Sequence, residues 1–280
     1  MPESLREALK GIVPDHLMNR IRAFDVVGDI AVVKIPEELL PWQHEIGKAL
    51  LGVHKNIRTV LKQTSPVAGE FRTRELEIIA GEQKTVTLHR ENGCVFMVDL
   101  ARMYFSPRLG TERLRIAKLV RPGETVTNMF AGVGCYSIVM ARQSQASTIY
   151  SVDKNPDAFR YMVENVRLNK VGARVFPILG DARDVIKEKI PGLADRVLMP
   201  LPELSHEFLE TAIAALKPCG GTIHFYDYGE EPDVYGPSFK FVSLTAEKWG
   251  FEANLMESRK IRSYAPRCFH IVLDVLLTKR

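Results

Sequence analysis

The 280-residue chain carries four cysteines, a formal charge of +4 and an ordinary apolar content. That length is comfortable for two domains. No apolar run is long enough to span a bilayer, and the N-terminus does not read as a secretory signal. Cys94, Cys135, Cys219 and Cys268 show no paired metal-ligand spacing, so no metal and a reduced, cytoplasmic setting are expected, while the mild basic excess permits a nucleic-acid partner without requiring one.

Residues 2–20 read as an amphipathic helix. Residues 24–35 are rich in valine and isoleucine and are broken by Gly28-Asp29, which predicts a β-hairpin. A helix over 42–51 and short strands over 57–61, 76–79, 85–89 and 95–98 complete a small α+β domain, placed at residues 1–100. From residue 111 the rhythm changes. Helix 112–119, strand 125–128, helix 135–142, strand 147–152, helix 156–167, strand 175–179, helix 182–188, strand 195–199, helix 205–216 and strand 221–226 alternate. Such alternation predicts a parallel sheet with helices on both faces. Strands 251–258 and 269–277 follow as an antiparallel hairpin at its edge. The fold class is thus α/β: a Rossmann-like, mostly parallel sheet over 101–280, whose late antiparallel hairpin resembles the layout of class I methyltransferases, with a smaller α+β domain before it.

The chemistry concentrates at the carboxyl ends of the strands. Strand 125–128 runs into Asn128-Met-Phe-Ala131-Gly132-Val-Gly134, and the next strand ends at Asp153-Lys154. Glycines let a backbone approach a ligand, and an acid after the second strand can hold two ribose hydroxyls. The turn lacks the third glycine of the dinucleotide fingerprint. It suits S-adenosylmethionine, which has a ribose and no phosphate, better than a pyrophosphate. Asp153 and Asp181 could equally cap the helices that follow them. Asp181-Ala182 lies where an adenine amino group would be held, and Asn128 stands where many methyltransferases have an acid. Pro200-Leu-Pro202 stops the fourth strand in a rigid loop. The segments 69–75 and 104–113 mix arginine, acid and aromatic residues. On composition they are solvated loops, with Glu112 favoured in the first turn of a helix.

Together with 89–93, 129–134, 165–169 and 263–267, these two segments resemble the archaeal and eukaryotic type of tRNA guanine-37 N1-methyltransferase from about Phe24 onward. The resemblance implies methyl transfer from S-adenosylmethionine to N1 of the guanine beside the tRNA anticodon. It implies Glu112 as general base, Arg72 as partner of guanine O6 with Arg74 second, and Tyr104 placing the base. Arg113, Asn128, Ala131, Gly132, Gly134, Asp153, Lys154, Asp181, Ala182 and Pro200 match cofactor positions, and Arg74, Arg108 and Pro202 match substrate positions. The first domain would support tRNA recognition, and the protein is expected to be a monomer. Salt-sensitive tRNA binding is expected through Arg72, Arg74, Arg108, Arg113 and Arg115. One departure stands out: Pro200 replaces a family asparagine. The rival readings are an aminocarboxypropyl transferase of the wybutosine pathway and a non-catalytic tRNA-binding protein.

Overall fold

A computed structural model describes residues 4–21, 23–66 and 68–280. The chain divides into two compact units, Met1–Glu91 with Val95–Arg108, and Asn92–Cys94 with Leu109–Arg280. The division falls at 108/109 rather than 100/101. Residues 101–108 stay with the first unit because Phe105 packs edge-on against His89 and Arg108 Nε donates to Asp25 Oδ1 at 2.7 Å.

In the first unit the expected continuous helix does not form. Gly11 takes a positive φ and Pro14 follows, so only α1 (Leu5–Leu9) and a 3-10 turn (Asp15–Arg20) remain; residues 2 and 3 lie outside the described residues. The hairpin forms from β1 (Asp25–Val27) and β2 (Ile30–Val33), turning at Gly28. α2 (Gln43–Val53) crosses to β3 (Thr59–Gln63), which pairs parallel with β2 and antiparallel with β4 (Leu76–Gly81). β5 (Val86–Glu91) and β6 (Cys94–Asp99) make a separate two-stranded sheet. Leu9, Leu39, Ile46, Leu50 and Val60 form the core against one face of the larger sheet.

The second unit follows the expected alternation: α3 (Gly110–Leu119), β7 (Thr125–Asn128), α4 (Cys135–Gln143), β8 (Thr148–Asp153), α5 (Pro156–Leu168), β9 (Val175–Leu179), α6 (Ala182–Lys189), β10 (Arg196–Met199), α7 (Ser205–Ala215) and β11 (Gly220–Glu230). An unanticipated helix, α8 (Gly236–Lys248), comes before β12 (Phe251–Ala265) and β13 (Cys268–Lys279). The sheet order is β12-β13-β11-β10-β7-β8-β9, with β7 to β11 parallel and β13 antiparallel to both its neighbours. The chain winds outward from β7 to β9 and then returns to β10 on the other side of β7. This reversal creates the crevice where open α/β sheets take ligands.

Candidate active site

At that crevice the turn after β7 is held from several sides. Gly134 caps α4 with φ +88°, and a Cβ there would press to about 3.0 Å on Met162, so a side chain is excluded twice over. Gly132, at φ +56°, faces open space. Asp153 Oδ2 accepts from Gly132 N at 2.5 Å and its Oδ1 accepts from Asn155 N at 2.9 Å. Ala131 N donates to Val152 O at 2.8 Å, tying the turn to β8. From beneath, buried Asn165 donates to Val133 O at 3.0 Å, which explains the 165–169 segment as a support of the turn. Burial raises the pKa of Asp153, and the two backbone donors oppose it. Asp153 therefore does not cap α5; that cap is Asn155, whose side chain accepts from Asp157 N and Ala158 N.

Asn128 is fully buried, and its amide donates to Ser137 Oγ at 3.1 Å while Ser151 Oγ donates to the same oxygen at 2.7 Å. The amide nitrogen braces α4 against β7, and Oδ1 has no hydrogen-bond partner among the described residues. Asp181 caps α6 by accepting from Arg183 N, and Lys154 Nζ lies 3.6 Å from its other oxygen. Ala182 is buried beneath it. β10 stops at Met199 just before Pro200, and Pro202 opens a 3-10 turn leading into α7.

Glu112 and Arg113 lie in the first turns of α3 and are 7% and 3% exposed. Arg115 grips Glu112 with both arms of its guanidinium, and Tyr226 OH donates to Glu112 Oε1 at 2.7 Å. Arg115 also donates to Asp274 at 2.5 Å and to Glu257 at 3.3 Å. Asp274 Oδ1 accepts from His224 Nδ1 at 2.6 Å, and His224 Nε2 lies 2.7 Å from Arg196 Nη1. Because a guanidinium only donates, His224 must accept at Nε2 and carry its proton on Nδ1; it is neutral. Burial pushes its pKa down in the same sense. Burial works to raise the pKa of Asp274, but the His224 hydrogen bond and the Arg115 charge outweigh it and hold the carboxyl well below the usual range. Arg113 and Arg115 are therefore interior groups, and the expectation that they grip phosphates fails on burial.

In the first unit Arg72 sits in the left-handed region, φ +53°, with its guanidinium 5.1 Å from the centroid of the Tyr104 ring. Its backbone N–H closes a turn on Gly69 O at 3.1 Å. A non-glycine residue held there costs of order 1–3 kcal/mol and favours a functional reading of Arg72. Arg74 is partly buried and donates weakly to Gln63 Oε1 at 3.4 Å; burial lowers its pKa, with Asp25 and Tyr104 opposing. Arg108 is committed to Asp25.

Sequence reasoning missed the groups after β10 and along β11. Tyr226 reaches Glu112, and Tyr228 OH donates to Glu203 Oε1 at 2.5 Å. The only available signal was the tyrosine pair Tyr226/Tyr228 at alternating strand positions. Among the described residues there is no cluster of histidine, cysteine and acid side chains able to hold a metal, and no helix is long and apolar enough to cross a membrane.

The sheet order, the open glycine turn and the acid anchored behind it define a nucleoside-binding transferase of the methyltransferase class. The sequence profile of the TRM5/TYW2 methyltransferase domain matches residues 87–254, and that of the TYW2 N-terminal domain matches residues 5–85. The chain belongs to the TRM5/TYW2 methyltransferase family. It is 45% identical, over 98% of its length and 80% of the relative's, to the tRNA (guanine(37)-N(1))-methyltransferase Trm5b of Pyrococcus abyssi. It is 36% identical, over 90% of its length and 96% of the relative's, to the tRNA(Phe) (4-demethylwyosine(37)-C(7)) aminocarboxypropyltransferase of Methanocaldococcus jannaschii. Among solved structures, the complex of aTrm5 with tRNALeu superposes with a TM-score of 0.87 at 35% identity, covering 99% of this chain and 79% of that one. M. jannaschii TYW2 in complex with AdoMet superposes at 0.74 and 30% identity, covering 92% and 100%.

Proposed function

We propose that this protein transfers the methyl group of S-adenosylmethionine to N1 of guanine 37 in tRNA. The relationship to Trm5b over 98% of the chain carries the reading. The cofactor fits the residues present. Asp153 retains acceptor capacity beyond its two backbone donors, Gly132 leaves room for close approach, and the turn offers acids rather than cations, which suits a ribose and a sulfonium better than a phosphate. When bound, it supplies an activated methyl group.

The protein's own work is then threefold. The target base must leave its stack and enter a pocket. Guanine N1 carries a proton at neutral pH, and Glu112 is the group assigned to take it. Negative charge grows on O6, and Arg72, stacked against Tyr104, is the cation assigned to meet it. Pro200 stands where the family has an asparagine, so a hydrogen bond of that amide to the base or cofactor would have to come from backbone or from another residue. The test is nucleoside analysis of a guanine-37 tRNA transcript after incubation with protein and S-adenosylmethionine. 1-Methylguanosine is the expected product; its absence overturns the reading.

A second reading has its own support. Residues 5–85 match the N-terminal domain of TYW2, and an aminocarboxypropyltransferase lies among the relatives. Label from the carboxyl group of the cofactor, rather than from its methyl group, appearing in tRNA would select it.

A further inference from the structure

We propose that the tip of the β12–β13 hairpin is a stacking platform for an unpaired nucleotide flanking the target guanine. The inference rests on the tRNA reading above and assigns residues that the reading leaves unused. Tyr264 lies near the hairpin tip and is 60% exposed, an unusual position for so large an aromatic ring. It is not loose: its ring lies 4.4 Å from that of Tyr228, tilted by 43°. Tyr228 is fixed in turn by its hydroxyl's bond to Glu203, the residue after Pro202. The platform therefore stands among the loops beyond the carboxyl ends of β10 and β11, the end of the sheet that also carries the glycine turn and Asp153.

Basic side chains stand nearby, paired with acids. Lys260 and Arg267 share one carboxylate, Glu231, at 3.8 and 3.5 Å, Lys260 also lies over the Phe269 ring, and Arg259 pairs with Glu257, which also serves Arg115. Arg267 is 73% exposed. An exposed, braced aromatic face beside the largely exposed Arg267 fits a single-stranded nucleic acid: the face stacks a base of any sequence, and a guanidinium exchanges its carboxylate for a phosphate. A protein partner would ask for a broader apolar patch with the charges at its rim.

The experiment uses the full chain and a tRNA transcript carrying 2-aminopurine on one or the other side of guanine 37. Wild type is expected to quench one of these probes on binding. Tyr264→Ala is expected to weaken tRNA binding by roughly 5- to 100-fold and to abolish the quench, with affinity for S-adenosylmethionine unchanged. Tyr264→Trp is expected to restore both. Arg267→Ala is expected to lower the slope of log affinity against log salt by about 0.7–1. Tyr264→Ala binding and quenching like wild type overturns the platform. A wild-type protein that transfers nothing to guanine 37 overturns the underlying reading instead, so the two failures are distinguishable.

Discussion

Glu112 and Arg115, one turn apart on α3, meet fork to fork, with two contacts of 2.8 Å. The residue assigned as general base is thus also the end of a buried chain of charge running through Arg115, Asp274 and His224 to Arg196 and Glu124. Arg115 has other carboxylates to hold, Asp274 and Glu257, so it can release Glu112 without becoming an unpaired buried cation.

Glu112→Gln keeps size and one acceptor but cannot take the N1 proton. Single-turnover methyl transfer is expected to fall by about 10²–10⁴-fold, with tRNA and cofactor binding intact. Tyr226→Phe removes the hydroxyl that bonds Glu112 and interacts with Tyr136, and is expected to cost about 1–3 kcal/mol of stability with a much smaller loss of rate. Methyl transfer at the wild-type rate by Glu112→Gln would place the base elsewhere.

Asp274 links acid stability to the same chain. Its folded pKa is depressed, so its contribution to stability is complete above the ordinary carboxylate range and disappears as pH falls below that range toward the folded value. Asp274→Asn is expected to destabilise the protein by about 1–3 kcal/mol near neutrality, because Arg115 and His224 lose a charged acceptor while Glu112 and Glu257 still hold Arg115. Denaturant titrations at a series of pH values check both points: the mutant's deficit narrows on acidification. A deficit that stays constant to strongly acidic pH would exclude the linkage.

Asp153→Ala removes the carboxylate that anchors the Gly132 turn and is assigned to the ribose. Each charge-assisted hydrogen bond lost is worth roughly 1.5–3 kcal/mol, so cofactor affinity is expected to drop at least tenfold by calorimetry. Unchanged affinity would sink the ribose assignment.

Arg72 offers a separation of backbone from side chain. Arg72→Gly relieves the positive φ, so thermal stability is expected to hold or rise by up to about 1 kcal/mol. Methyl transfer is nevertheless expected to slow as much as in Arg72→Ala, since both lose the cation meant for O6. An active Arg72→Gly protein would show that the turn, and not the guanidinium, matters.

Much of the second unit was legible because its signals are local. The β7 turn, the acid ending β8 and the Asn155-Pro156 helix start are each set by neighbours a few residues apart. α8 was not among the expected elements, although Pro237 sits in its first turn, where proline is favoured. β12 runs on to Ala265, past the expected end at 258, through Arg259, Lys260 and Arg262; at the rim of a sheet, charges do not end a strand. The setting of Glu112 could not be read at all. Its partners lie on α3, β11 and, through Arg115, β13, and only the folded sheet brings them together. The bond from Asn128 to Ser137 was unreadable for the same reason, being set by how α4 docks.

The two rims of the large sheet have a bearing on how the protein behaves when crowded. β12, one rim, is broken by three register shifts and studded with charge, and β9, the other, carries Pro177. Neither offers the flat, unbroken row of backbone donors and acceptors on which a second copy could grow. Both rims therefore carry features that discourage edge-to-edge pairing of two copies in concentrated solution.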